Sequence, residues 1–307
     1  MALGTDHVTN TTAATFIPEI WSDEIVAAYK KSLVMANLVK KMNFKGKKGD
    51  TVHIPSPTRG TASAKTASNQ VTLIAANEGE VVVSINNHFE YSRLIEDITE
   101  AQALSSLRQF YTDDAGHALG RQVDTSLIRL GRGARGGNAA NTAYSGGIIG
   151  STGAAYTSGS SNAANIADAG IRAAIQLLDD QDVPMDGRSL VVPPVARNSM
   201  LGINRFTEQA FKGTGSTLMN GEFGDIYGVK VYVSTNCDTA AGNTNTDRVA
   251  LMFHRDWAVL VEQLGIRSQT QYKQEWLGTL FTADTLYGAA ELRDYSAVPI
   301  VVDASAA

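Results

Sequence analysis

From position 92 to position 130 apolar residues recur at Leu94, Ile98, Ala101, Leu104, Leu107, Tyr111, Ala115, Ala118, Val123, Leu127 and Leu130, and no proline interrupts them. Steps of three and four are the period of a one-sided α-helix. A straight helix over this run would be about 58 Å long at 1.5 Å per residue, whereas a compact chain of this length is only about 50 Å across. Such a helix would force a flat, elongated subunit. Gly116 and Gly120 lie inside the run, and each costs about 1 kcal/mol relative to alanine in a helix interior. They mark a bend, a close crossing, or the junction of two shorter helices near Gly116.

With 307 residues and 43% hydrophobic content, the chain can bury a core of its own as one large domain or two smaller ones. A formal net charge of -5 and a pI near 5.6 argue against a dedicated nucleic-acid binder, whose affinity would come from neutralising phosphates with Lys and Arg. Cys237 is the one cysteine; it excludes an intrachain disulfide and a Cys-rich zinc site, fits a reducing compartment, and reads as an inert small residue. No uninterrupted apolar stretch approaches the length of a transmembrane helix, so no membrane association is expected. The first residues lack a basic start followed by an apolar core, and no signal peptide is expected.

Residues 1–15 are small and polar and read as a loose arm. Pro18 can open a helix, and Trp21, Ile25, Ala28, Tyr29, Leu33 and Ala36 recur at helical spacing up to Lys40. The basic end of that helix, with Lys40, Lys41, Lys45, Lys47 and Lys48, suits the helix dipole and solvent, and no aromatic stacking platform for nucleic acid accompanies it. Residues 51–55, 71–75 and 80–89 read as strands around the polar run 56–70, forming a long hairpin with a loose tip. A lone two-stranded ribbon is marginally stable in water, so this one should lie on its own subunit or on a neighbour.

Residues 131–165 are dominated by small and polar types and separate two halves of the fold. Their Gly131-Arg132-Gly133-Ala134-Arg135-Gly136 formally matches a dinucleotide fingerprint. That fingerprint needs a strand before it and a helix after it; here a helix precedes and a loop follows, so no cofactor is expected. Beyond it, helices are expected over 166–180 and 195–201, and strands over 190–192, 229–233 and 249–253. Residues 255–264 are mixed, 266–276 polar and extended, 282–288 helical, and 297–302 form a closing strand. The class is α+β, without internal repeats.

Convergent chemistry is missing. His7, His53, His88, His117 and His254 have no metal-ligand spacing among them, and neither a Walker loop nor a nucleophile elbow is present. Asp113, Asp114 and His117 read as a solvated helix face, and Asp179, Asp180 and Asp182 as a helix end before a proline turn. No catalytic, cofactor or metal site is expected, and the chain does not read as an enzyme.

The order of parts resembles the major capsid protein of tailed bacteriophages. The most specific stretch is Leu177-Leu178-Asp179-Asp180-Gln181-Asp182-Val183-Pro184 with Gly187-Arg188-Ser189-Leu190-Val191-Val192-Pro193-Pro194, which is similar to the helix, turn and strand of that family's axial domain. Gly224-Asp225-Ile226-Tyr227-Gly228-Val229-Lys230-Val231-Tyr232-Val233-Ser234 is similar to its glycine-flanked hairpin. Phe16-Ile17-Pro18-Glu19-Ile20-Trp21 and the closing Leu286-Tyr287-Gly288 also look like family features.

The resemblance implies a tailed-phage capsid fold. It divides the chain into an N-terminal arm and amphipathic helix (1–43), an extended hairpin loop lying across a neighbour (44–90), a peripheral domain with a spine helix and Gly-rich connection (91–165), an axial domain (166–267), and a return to the peripheral domain (268–307). Pentamers and hexamers of the chain would then form an icosahedral shell around double-stranded DNA. Subunit contacts are expected at Trp21, Arg59, Lys65, Glu90, Arg93, Arg188, Phe223 and Tyr227. The implied partners are a separate scaffolding protein, a portal protein and a decoration protein, and Lys65 is placed where some members crosslink a hairpin lysine to an asparagine. Assembly is expected in the host cytoplasm. The alternatives are an encapsulin-like compartment or another virion structural protein, and an enzyme with an unrecognised site.

Overall fold

A computed structural model describes residues 34–57, 60–71, 73–74, 78–98, 107–140, 143–156, 163–203, 224–240 and 247–303. In chain order these hold the short helix α1 (Met35–Leu38), strands β1 (Lys40–Asn43), β2 (Thr51–Ser56), β3 (Gly79–Ser84) and β4 (Asn87–Glu96), and the long helix α2 (Leu107–Leu130). There follow β5 (Ile149–Gly150), helix α3 (Asp168–Asp179), β6 (Arg188–Val192), helix α4 (Pro194–Leu201), β7 (Asp225–Ile226), β8 (Val229–Val233) and β9 (Arg248–His254). The long strands β10 (Ala258–Lys273) and β11 (Gly278–Glu291) and the closing strand β12 (Ala297–Val302) complete the chain.

Among the described residues the strands form three sheets: β1-β10-β11-β4, β5-β12-β9-β6-β8-β7, and the pair β2-β3. In β9, Val249, Leu251 and Phe253 point one way and Ala250 and Met252 the other, and all are buried. That two-sided burial explains the unbroken apolar run. One face of the six-stranded sheet packs Leu190, Val192, Met252 and Ile300 against Ile171, Ala174 and Leu178 of α3 and Ala196 and Met200 of α4. The other face meets Leu127 and Ile128 at the end of α2, together with Met35, Trp257 and Leu260.

Helix α2 therefore serves two sheets. Its Ala115 and Leu119, one turn apart, pack on Phe281 and Ala283 of the four-stranded sheet, and its last turns lie on the six-stranded one. The helix runs unbroken through Gly116, where an added Cβ would meet nothing within 4 Å. Among the described residues no close crossing exists there, and no junction of two helices.

The sequence expectation for this region is corrected at its start. Residues 92–96 are the second half of β4, paired antiparallel with β11 from Ser92↔Thr282 to Glu96↔Gly278. Leu94 falls in the helical spacing, yet it is 41% exposed while its neighbour Ile95 is buried, the alternation of a strand. Three further readings change. Residues 282–288, expected helical, lie in β11, where Phe281, Ala283, Thr285 and Tyr287 alternate inward. Residues 255–264 and 266–276 merge largely into the single strand β10. Val71, Leu73 and Ile74, expected in a strand, lie outside any described one. The closing strand β12 pairs with β9 and β5 in the six-stranded sheet.

Where β9 hands over to β10, the indole Nε1 of Trp257 donates to Glu291 Oε1 at 2.6 Å. Burial, with Asp294 adding to it, pushes the Glu291 carboxyl up to about 7, although the Trp257 bond favours the charged form. Between about pH 4.5 and 7 the folded state therefore holds a proton that the unfolded state has released, so stability falls as pH rises through that window and the full penalty persists above it. Glu291→Gln keeps an acceptor for Trp257 and removes the penalty. Thermal melts of unassembled subunits should show a gain on the order of 1–2 kcal/mol at pH 8, reduced because the carboxyl is partly open to solvent, and a flatter profile between pH 5 and 8.

Candidate functional site

The ribbon β2-β3, in register from Thr51↔Ser84 to Ser56↔Gly79, is anchored at its base. Val83 and Ile85 pack with Val52 and Ile54 on Val259 and Val261 of β10, the face of the four-stranded sheet opposite α2. Past Ser56 regular pairing stops. Among the described residues between the two strands the backbone makes one bond of its own, Asn69 N to Thr66 O at 3.3 Å. Gly60 and Ile74 bring the two limbs together, since a Cβ at Gly60 would sit 3.0 Å from Ile74 Cδ1. Val71, Leu73 and Ile74 are 62%, 88% and 61% exposed.

A second exposed set lies at the far end of the four-stranded sheet. The turn between β10 and β11 carries Trp276 and Leu277, both about two-thirds exposed, with Leu277 in the left-handed region at φ 43°. Tyr272 donates to Asp97 Oδ2 at 2.8 Å beside them. Nearer the base Arg267 grips Asp284 through two bonds of 2.7 and 2.9 Å, which holds that carboxyl below its usual range. Grouped exposed apolar residues on projecting elements are the mark of a protein interaction surface.

The residues expected at subunit contacts divide. Lys65 is exposed on the loop, Glu90 is exposed on β4, and Tyr227 is 48% exposed in the turn between β7 and β8. Tyr227 adopts φ 52° and donates to Asp168 Oδ1 at 2.6 Å. Arg93 is exposed but turned to its own subunit, stacked over Tyr91 and Tyr111 and donating to the Tyr91 hydroxyl, which donates in turn to Asp114. Arg188 is a correction: its side chain is 2% exposed and donates internally to Asp179, Pro184 O and Val183 O. Trp21, Arg59 and Phe223 lie outside the described residues. Sequence reasoning missed Trp276 and Leu277; the polar stretch before them reads as an ordinary exposed strand, and only the β10-β11 pairing shows that they crown its tip.

Several other groups singled out in the sequence have structural roles. Arg132 of the glycine-rich turn clasps Asp238 at 2.6 and 2.9 Å, and Arg135 N donates to Asp294 O. Burial pushes the Cys237 thiol up to about 12, which makes it a poor nucleophile. Lys41 donates to Asn37, Lys47 lies over the Phe44 ring, and Lys40 and Lys41 sit on β1 where a helix end was expected. Among the described residues no three His, Cys, Asp or Glu side chains group to hold a metal, and no helix is long and apolar enough to cross a membrane.

An α+β subunit with one helix spanning two sheets, and with projections whose apolar residues it does not itself cover, has the architecture of a shell-building structural protein. A structure from Mycobacterium phage Che8 superposes with a TM-score of 0.74 over 93% of this chain and 97% of its own, at 24% identity. The capsid of cyanophage P-SCSP1u gives 0.75 over 99% and 97% at 18% identity. The head structure of Helicobacter pylori bacteriophage KHP40 gives 0.71 over 99% and 100% at 12% identity. Among curated proteins no sequence matches. The phage capsid protein family matches residues 26–300, and the chain belongs to that family; it is a major capsid protein with the tailed-phage capsid fold.

Proposed function

We propose that this chain assembles as pentamers and hexamers into the icosahedral head that encloses phage double-stranded DNA, and that it acts as a structural protein without catalytic activity. The observation that carries the reading is the hairpin that leaves Val71, Leu73 and Ile74 in solvent, contacts that one subunit does not satisfy. In this reading the ribbon and loop (44–90) lie across an adjacent subunit, 91–165 and 268–307 form the peripheral part around α2, with the closing strand β12 reaching into the sheet of β6, β8 and β9, and 166–267 forms the axial part. Lys65, Glu90 and Tyr227 are the exposed contact candidates. Net negative charge limits adhesion to the packaged genome. A scaffolding protein, a portal protein and a decoration protein are the partners such a head would use, and the host cytoplasm is where it would be built.

Particles purified from infected cells and treated with nuclease should release double-stranded DNA and show this chain as the main shell protein. Particles filled with enzyme cargo and no DNA would favour an encapsulin-like compartment instead. A loop variant separates folding from assembly. Replacing residues 58–77 by a short turn removes no residue of the four buried clusters around the two larger sheets. The melting temperature of the subunit should change by no more than a few degrees, while closed particles in electron micrographs should be lost.

A further inference from the structure

Strand β10 is longer than the strand that covers its outer edge. On that side β1 pairs only with Val259, Leu260, Val261 and Glu262, and Gln263 reaches the Lys47 and Gly49 carbonyls with its side chain. Beyond the register shifts at Leu264 the strand continues to Lys273 with β11 on its inner edge and, among the described residues, no backbone partner on its outer one. Proteins ordinarily guard such edges with Lys, Pro or inward charges. Here Ser268, Gln269, Thr270, Gln271 and Tyr272 carry no charge and no proline, whereas the opposite edge strand β4 is guarded by Glu90, Arg93 and Glu96.

The same chain holds a strand without a sheet. Val71, Thr72 and Ile74 have strong strand preference, and residues 66–77 carry no charge; yet Val71, Leu73 and Ile74 belong to no strand among the described residues and are exposed. We propose that the run at Val71, Leu73 and Ile74 of one subunit adds as a strand to the open outer edge of β10, at residues 268–272, of a second copy. Backbone bonds across an exposed edge supply the affinity, and alternate side chains fix the register. The edge and the strand are different surfaces of the subunit, so the contact joins unlike surfaces and repeats around a closed ring. The inference rests on the shell-building reading and names the surface that the hairpin grips.

Hydrogen-deuterium exchange compares assembled particles of the unmodified chain with its dissociated subunits. Amides in both 69–74 and 268–272 should exchange at least about tenfold more slowly in particles; unchanged exchange in either segment of closed particles overturns the strand pairing and leaves the shell reading standing. A cysteine scan reads the geometry: Leu73→Cys is combined in turn with Gln269→Cys, Thr270→Cys and Gln271→Cys, with single-cysteine controls for the buried Cys237. Oxidised particles should give multi-subunit ladders with a period of two, from 269 and 271 or from 270, but not from all three. Equal ladders, or none, contradict an added strand. Where a variant fails to assemble, exchange in the unmodified particles decides. Failure of the unmodified chain to form rings or particles under any condition overturns both readings.

Discussion

Arg188→Ala is expected to destabilise the subunit by about 3–4 kcal/mol in urea denaturation, because three charge-assisted bonds vanish at once and a large buried side chain leaves a void. The guanidinium donates to Asp179 Oδ1 at 2.7 Å, to Pro184 O at 2.9 Å and to Val183 O at 2.5 Å. It thereby ties the end of α3 and the following turn to the first residue of β6. That turn takes two left-handed residues, Asp182 at φ 54° and Gly187 at φ 80°, so its shape relies on the clamp. Arg188→Lys offers one ammonium where a planar fork made three bonds, and should recover less than half of the loss. A change below about 1 kcal/mol for the alanine variant would show that the turn holds itself.

Trp257→Ala should cost about 3–5 kcal/mol, the range for truncating a buried aromatic. Trp257 is fully buried, its ring centre lies 5.4 Å from that of Phe253, and its carbonyl accepts from Leu292 and Arg293. The residue stands where the six-stranded sheet passes into the four-stranded one, so its loss should loosen both against α2 and abolish particle formation at 37 °C. Trp257→Phe keeps most of the packing but removes the donor to Glu291, and about 1–2 kcal/mol should go with it. Equal melting temperatures for the wild-type and phenylalanine chains would deny that bond any weight.

The fold was legible where one periodicity stood clear. The strands at β6, β8, β9 and β12 and the helices α3 and α4 follow from their apolar patterns, because each packs with a single regular face or as a fully buried run. It was obscured in β4 and β11, where small and polar residues such as Ser92, Thr282, Ala283 and Thr285 alternate without a strong apolar signal. There Leu94 falls in step with the helical spacing that follows it, and long-range pairing between positions some 190 apart makes residues 92–96 a strand. Candidate contacts were less legible than the fold. The resemblance offered Arg188 as a contact, but a buried arginine that starts a strand and clamps the turn before it looks in sequence like any surface one. The strand preference of Val71 and Ile74 was plain in the sequence, and among the described residues no strand pairs with it; that mismatch is itself the strongest pointer to a second copy.

The most direct measurement is sedimentation of the expressed chain together with negative-stain electron microscopy, with and without the products of its neighbouring genes. Five- and six-membered rings or closed shells are the expected result. A monodisperse monomer under every condition would contradict the account.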